Sequence, residues 1–374
     1  MNARSWRPIP IRNCGAIGAF GLHIDDFCSW WTEGRKDLRG PITILDESWL
    51  PIDRACEVPN WRARDHLPDR KAIKLMTRRV QLGLAAALQA WEGVNTSALP
   101  APHRRAMYTG CGVPADEDWT FRLPIEESIV GDSFDMHRFA THGQEFLNPL
   151  WLVKSLTNNV LAFGSKTLDL QGANNNFEGD AASALVAVAE AARALADGRA
   201  DIALAGAGDS LVSVETLLNV ARHSGVPWVP GEAAVFVRMD SEELSSGTGG
   251  RHLQVLGFGS AIAPETDSPG CSMVPTAGIA EAIDLARAQA WTESAPFVST
   301  DAPVLRLLGP RVESSDGPVP EIRPSDFLGD CAAAGGALLL AGAWAEFHLR
   351  EIEGPFELVA VGSSGEAAVL LLGC

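Results

Sequence analysis

Apolar runs of strand length alternate along this chain with stretches whose apolar residues return every three or four positions. "IPIRNCGAIGAFG" (9–21), "AMYTGCG" (106–112), "DIALAGAG" (201–208) and "AAVFVRM" (233–239) predict strands. "RRVQLGLAAALQAWEG" (78–93) and "AASALVAVAEAARALADG" (181–198) predict helices. Strands interleaved with helices in this way predict an α/β fold whose sheets are covered by helices.

The succession returns after residue 250. "HLQVLGFGSA" (252–261) repeats the glycine-rich end of the first strand, and "AGIAEAIDLARAQAW" (277–291) echoes the helix at 78–93. "PVLRLLGPRV" (303–312) echoes the strand at 106–112, and "ELVAVGSSGEAAVLLLG" (357–373) condenses two closing strands. A degenerate duplication accounts for this pattern. It predicts two similar halves, 1–245 and 250–374, joined at the polar Gly/Ser segment "DSEELSSGTGGRH" (240–252).

Two segments are built almost wholly of small residues. Nine of the sixteen residues in 181–196 are alanine, and "AAAGGALLLAGAWA" (332–345) carries no charge. A helix apolar on nearly every face belongs inside, and Ala/Gly surfaces let neighbours approach closely. One such helix per half predicts a back-to-back pair between two sheets.

Composition then narrows the function classes. With 374 residues and 46% hydrophobic content the chain can bury a large core. A net charge of −17 argues against nucleic acid or an anionic membrane as partner. The opening "MNARSWRPIPIRN" lacks the apolar run of a signal peptide, and no uncharged apolar stretch reaches about 18 residues, so a cytoplasmic location is expected. Seven scattered cysteines without C-x-x-C or His/Cys ligand spacing argue against both a metal site and a disulfide framework.

Five segments carry a resemblance that extends along most of the chain. They are "DRKAIKLMTRRVQLGLAAALQAWEG" (69–93), "NPLWLVKSLTNNVLAFGSKTLDLQGANNN" (148–176), "ADGRADIALAGAGDS" (196–210), "PWVPGEAAVFVRMDSEE" (227–243) and "DFLGDCAAAGGALLLAGA" (326–343). In this order and spacing they resemble the β-ketoacyl synthase branch of the thiolase superfamily. The resemblance implies a thiolase-like fold of two duplicated α-β-α-β-α halves in five layers. It also implies a cysteine at the N-terminus of the first buried helix, where the dipole stabilises a thiolate. Two histidines would assist decarboxylation and stabilise the oxyanion.

Those residues are not where the resemblance puts them. Aligning Gly172 with the family's Gly-Pro-Asn glycine sets the nucleophile position at Ala181, and a slip of one residue offers only Asp180 or Ala182. The two histidine positions fall at Asp330 and near Leu308, and the gating segment "GFGGTN" reads "VGSSGEAA" (361–368). The resemblance therefore implies a degenerate, non-condensing member, of the chain-length-factor type that partners an active ketosynthase in type II polyketide or fatty-acid-like biosynthesis. Such a partner shapes the acyl tunnel and dimerises, with the ketosynthase or with itself, around an edge strand at 168–176. No bound cofactor is expected; the acyl chain would arrive on the phosphopantetheine arm of an acyl carrier protein.

A refitted site is the other enzymatic reading, with Glu178, Asp180 and Cys331 beside Asp330 in acyl transfer or hydrolysis of an acyl-carrier or CoA thioester. Two carboxyls can share a proton or act as acid and base, and Cys331 can be a dipole-activated thiol. The plainer readings are helix N-caps for Asp180 and Asp330 and an inert buried Cys331. A purely structural homodimer is a third possibility. In the basic run at 62–79, Lys71 and Lys74 align with the family's carrier-docking positions, with Arg70 and Arg78 nearby; a solvated helix face is the alternative. Phe134, Met136 and Phe139, in the long segment 113–143, would narrow the tunnel or pack at the interface.

Overall fold

The computed structural model describes residues 7–45, 50, 52–112, 119–223, 229–240, 251–262, 276–290, 305–310, 312, 318–362 and 365–374. Its main sheet has ten strands: β1 (Ile9–Gly18), β2 (Arg105–Cys111), β3 (Asn174–Glu178), β4 (Ile202–Ser210), β5 (Glu232–Asp240), β6 (Gln254–Ile262), β7 (Leu305–Leu308), β8 (Glu321–Ile322), β9 (Phe356–Val361) and β10 (Glu366–Gly373). Their spatial order is β8-β7-β9-β10-β6-β1-β5-β4-β2-β3. β1 and β6 meet only at Ile9–Val255 and Pro10–Gln254, so the sheet divides into two five-stranded parts.

The two parts have one topology. β1, β5 and β4 run antiparallel in turn, followed by β2 and β3 parallel to β4. β6, β10 and β9 are antiparallel in turn, followed by β7 and β8 parallel to β9. The repeat of the sequence is thus a repeat of strand order and direction. Residues 241–250, at the expected junction of the halves, lie outside the described residues, and the 245/250 boundary stands as a proposal.

Five helices complete the layers: α1 (Arg78–Trp91), α2 (Asn159–Leu168), α3 (Asp180–Ala196), α4 (Thr276–Ala290) and α5 (Ala333–Leu349). α1 covers the outer face of the first sheet, its Val80, Leu82 and Leu84 sharing a cluster with Ile17, Met107 and Phe236. α4 covers the second sheet with Ala282 and Ala286 against Leu256, Val359 and Val369. α3 and α5 lie together in the middle layer, each touching both sheets. Their small residues are a steric requirement: a methyl added to Gly336 would overlap the Ala181 carbonyl oxygen.

Residues 119–158 form an arm between β2 and α2 whose short helices pack on one another. The Phe121 and Trp151 rings meet edge to face with centroids 5.0 Å apart, and Ser128 Oγ donates to Pro124 O. Among the described residues no helix is long and apolar enough to cross a membrane.

Candidate functional site

β3 ends in an elbow. Gly179 has φ +157° and Asp180 has φ +42°, a left-handed conformation that costs a non-glycine residue about 1–3 kcal/mol. Gly179 N–H donates to Cys111 O (3.1 Å), Ser183 N–H to Gly179 O (3.2 Å) and Ser183 Oγ to Asp180 O (2.6 Å). The parallel register, Cys111 opposite Glu178, fixes where this turn falls. It delivers Ala181, fully buried, as the second residue of α3. The first turn reads Asp180, Ala181, Ala182, Ser183 and contains no thiol.

α5 starts on a matching elbow, with φ +70° at Gly329 and φ +46°, ψ −123° at Ala332. Asp330 Oδ1 accepts the Ala332 N–H at 2.9 Å, and the Asp330 backbone pairs with Val229 and Gly231. Gly112, just beyond β2, lies between the two elbows. A methyl built on it would stand 2.5 Å from Asp209 Oδ2, 3.2 Å from Ala332 Cβ and 3.4 Å from Asp180 Oδ1.

Asp209 is buried near the end of β4 and accepts N–H bonds from Gly112 (2.9 Å) and Ser210 (3.0 Å). Burial pushes its carboxyl up to about 6, opposed by the Arg79 guanidinium and those two N–H groups, with the Asp180 charge adding to the rise. Glu366, opening β10, approaches from the other side: a methyl on Gly179 would stand 2.6 Å from its Oε1, and its Oε2 is buried without a hydrogen-bond partner. Asp180, Asp209 and Glu366 thus surround the start of α3. A thiolate or oxyanion forming there would meet charge of its own sign.

Several sequence expectations change. Neither aspartate is an N-cap: Gly179 and Ala332 occupy those positions, Asp180 being the first helical residue and Asp330 standing two before its cap. The Asp180 charge reaches the buried Asp209 carboxyl. Glu178 is solvent-exposed at the end of the edge strand. Cys331 is fully buried, its Sγ directed at the carbonyls of Leu328 and Gly329, and burial pushes its thiol well up. That is the inert reading, because a dipole-activated thiol needs a depressed pKa and access. Strand alternation turns Leu308 into the cluster beneath α4; from that strand end Pro310, not Leu308, reaches α5 at Gly335.

Asp209, Glu366 and Glu232 do not stand out in the sequence. An acid closing a seven-residue run of small and apolar positions, as in "IALAGAGDS", is the sequence signal for Asp209. Glu232 explains Arg78, whose Nε and Nη2 each donate to its carboxylate at 2.5 Å. Val58 N–H (2.7 Å) and Ser210 Oγ (3.1 Å) complete the shell of this buried group. Arg78 therefore points inward, while Arg70, Lys71 and Lys74 are exposed.

The arm is the most apolar surface among the described residues. Met136 is 69%, Leu152 59% and Val130 53% exposed, and Phe134 is exposed with its ring 5.8 Å from half-buried Phe139. Beyond α2, β3 pairs on one side only and forms the end of the ten-stranded sheet.

Two stacked sheets with a buried helix pair between them and an elbow at each helix start define a thiolase-like ketosynthase architecture. Residues 57–226 match the family model of the β-ketoacyl synthase N-terminal domain. The chain is 27% identical over 263 residues to 3-oxoacyl-[acyl-carrier-protein] synthase 2 of Coxiella burnetii, a match spanning 68% of this chain but only 56% of that protein's length. The ishigamide ketosynthase/chain length factor superposes with a TM-score of 0.77 at 19% identity over 99% of both chains. A type II polyketide acyl-carrier protein in complex with its ketosynthase bound to the hexaketide gives 0.72 at 15% identity, over 98% of this chain and 99% of that one. Residues 57–226 thus carry the sequence signature of a β-ketoacyl synthase N-terminal domain, and the described fold is that of the thiolase-like ketosynthases.

Proposed function

We propose that this chain is a non-condensing, chain-length-factor-type partner of an active ketosynthase, in type II polyketide or fatty-acid-like biosynthesis. The observation that carries the reading is the elbow at Asp180–Ala181. The backbone strain of a nucleophile turn is kept, while the side chains around it are an alanine and three carboxyls. Condensation needs a thiolate and hydrogen-bond donors aimed at a developing oxyanion. Anions in those places oppose both.

The partner surface supports the same role. An exposed apolar arm and an open strand edge, separated along the chain by α2, suit pairing with a second sheet. In the pair, Phe134, Met136 and Phe139 would line the acyl tunnel, and Arg70, Lys71 and Lys74 would face an acidic acyl carrier protein whose phosphopantetheine arm brings the chain. A second reading, acyl transfer or hydrolysis on a thioester, draws on Asp209, whose raised pKa suits acid–base work. The thiols near that carboxyl, Cys111 and Cys331, are buried and pushed up by desolvation, the opposite of an activated nucleophile.

Co-expression with an intact Cys-His-His ketosynthase from the same gene neighbourhood tests the proposal. A stable 1:1 heterodimer, with no acyl adduct on this chain in intact-mass spectra after incubation with acyl-carrier substrates, is the expected result. A homodimer that ignores the ketosynthase, or a covalent acyl adduct, overturns it.

A further inference from the structure

On the outer face of the first half, a cavity of about 160 Å³ opens between the turn Ala72–Leu75, α1 and α2. Its walls are buried Leu67, Ala72, Met76 and Leu84 with half-buried Phe163. Thr167 is exposed at the rim, where Lys166 Nζ lies 3.6 Å from Asp69 Oδ2. Asp69 also braces the turn, its Oδ1 accepting the Lys71 and Ala72 N–H groups at 3.1 Å. Arg70 and Lys71 lead into this turn and Lys74 lies on it, all three exposed and, among the described residues, without an ion-pair partner.

An apolar well flanked by unpaired cations is unusual on a chain of net charge −17. Exposed ion pairs steer an approaching protein but hold it weakly and fade in salt. A large side chain seated in a desolvated pocket supplies the anchor they lack. An apolar cavity of roughly 150 Å³ accepts a benzene-sized group, so this well fits one Leu, Met or Phe side chain. A helix places such a residue one turn from its acidic neighbours, matching a well beside cations spread over a single turn.

We propose that this well is the socket for one large apolar side chain on an acidic helix of the acyl carrier protein, with Arg70, Lys71 and Lys74 holding the flanking carboxylates. The inference rests on the carrier-docking reading above and adds its anchor.

Fluorescence anisotropy of a labelled apo acyl carrier protein, titrated with the full chain in its native assembly at low and moderate salt, tests both layers. Thr167→Trp lays an indole over the mouth from an exposed position, Ala72→Leu fills the well from inside, and Lys71→Glu with Lys74→Glu reverses the charge. Thr167→Trp should weaken binding at least tenfold at every salt concentration, whereas the charge reversal should weaken it and flatten the salt dependence. A carrier with its central apolar helix residue changed to Ala should lose a similar factor and lose no more against Thr167→Trp. Wild-type affinity in both Thr167→Trp and Ala72→Leu, alongside a weakened charge reversal, overturns the socket and leaves carrier docking standing. No binding by the wild type, or a charge reversal without effect, removes the docking reading and the socket with it.

Discussion

Replacing Arg78 by Met tests whether this arginine belongs to the core or to a docking surface. Its partner Glu232 has a side chain at 0% exposure, held by two Arg78 bonds of 2.5 Å, the Val58 N–H and the Ser210 hydroxyl. Without the guanidinium, a buried carboxylate keeps two neutral donors and no counter-charge. Breaking a buried pair by removing one partner costs about 3–5 kcal/mol. Arg78 itself is 22% exposed, so water reaches the gap and the lower end, about 3 kcal/mol, is expected. Equilibrium urea unfolding followed by tryptophan fluorescence reads this as a drop in midpoint at constant slope. Adding Glu232→Gln, which removes the stranded charge but keeps an acceptor, should recover at least half the loss. Lys71→Ala, at an exposed position, should change stability by no more than about 0.5 kcal/mol. A loss below about 1 kcal/mol for Arg78→Met would refute the core assignment and return Arg78 to the docking surface.

Four further outcomes are expected. Asp209 keeps its proton in the native state up to about 6 but ionises near 3.8 when unfolded, so the native state binds more protons between those values. Stability should therefore fall as pH rises from about 4 to about 6, by at most about 3 kcal/mol, and level off above; thermal melts of Asp209→Asn across that range should lose the slope. Gly336→Val should prevent soluble folding, because any Cβ there overlaps the Ala181 carbonyl, and an ordinary yield of folded protein would contradict the packing of α3 on α5. Ala181→Cys should give no condensation product in a malonyl-carrier assay, since Asp180, Asp209 and Glu366 disfavour the thiolate and Asp330 and Leu308 stand at the histidine positions; measurable product would count against that alignment. Met136→Asp with Leu152→Asp should abolish the dimer by size exclusion while leaving the monomer's circular dichroism unchanged, because both side chains are exposed on the arm.

Much of the architecture was legible in the chain because burial imposes simple patterns. The run 233–239 became β5 at Glu232–Asp240, and the all-apolar segment 332–345 became α5 at Ala333–Leu349. Strand order repeats because the hydrophobic succession repeats. The site was less legible, since its geometry depends on which face of a strand end a residue occupies. Leu307 and Leu308 look alike in sequence, yet one packs between the sheets and the other beneath α4. Arg78 and Lys74 are both basic residues of one run, and only the buried Glu232, more than a hundred positions away, separates their roles. Asp209 and Glu366 gain meaning from the backbone of Gly112 and Gly179, contacts that no local pattern encodes.

The two ends of the sheet differ in what they can accept. β8 is two residues long and gives a neighbour almost no ladder, whereas β3 offers five residues on a free edge. An assembly that grows by sheet addition can therefore do so at one end only. Among the described residues, two chains joined edge to edge through β3 would leave only the two-residue β8 strands for further sheet addition. Between the described edges, this asymmetry favours a closed pair over a filament.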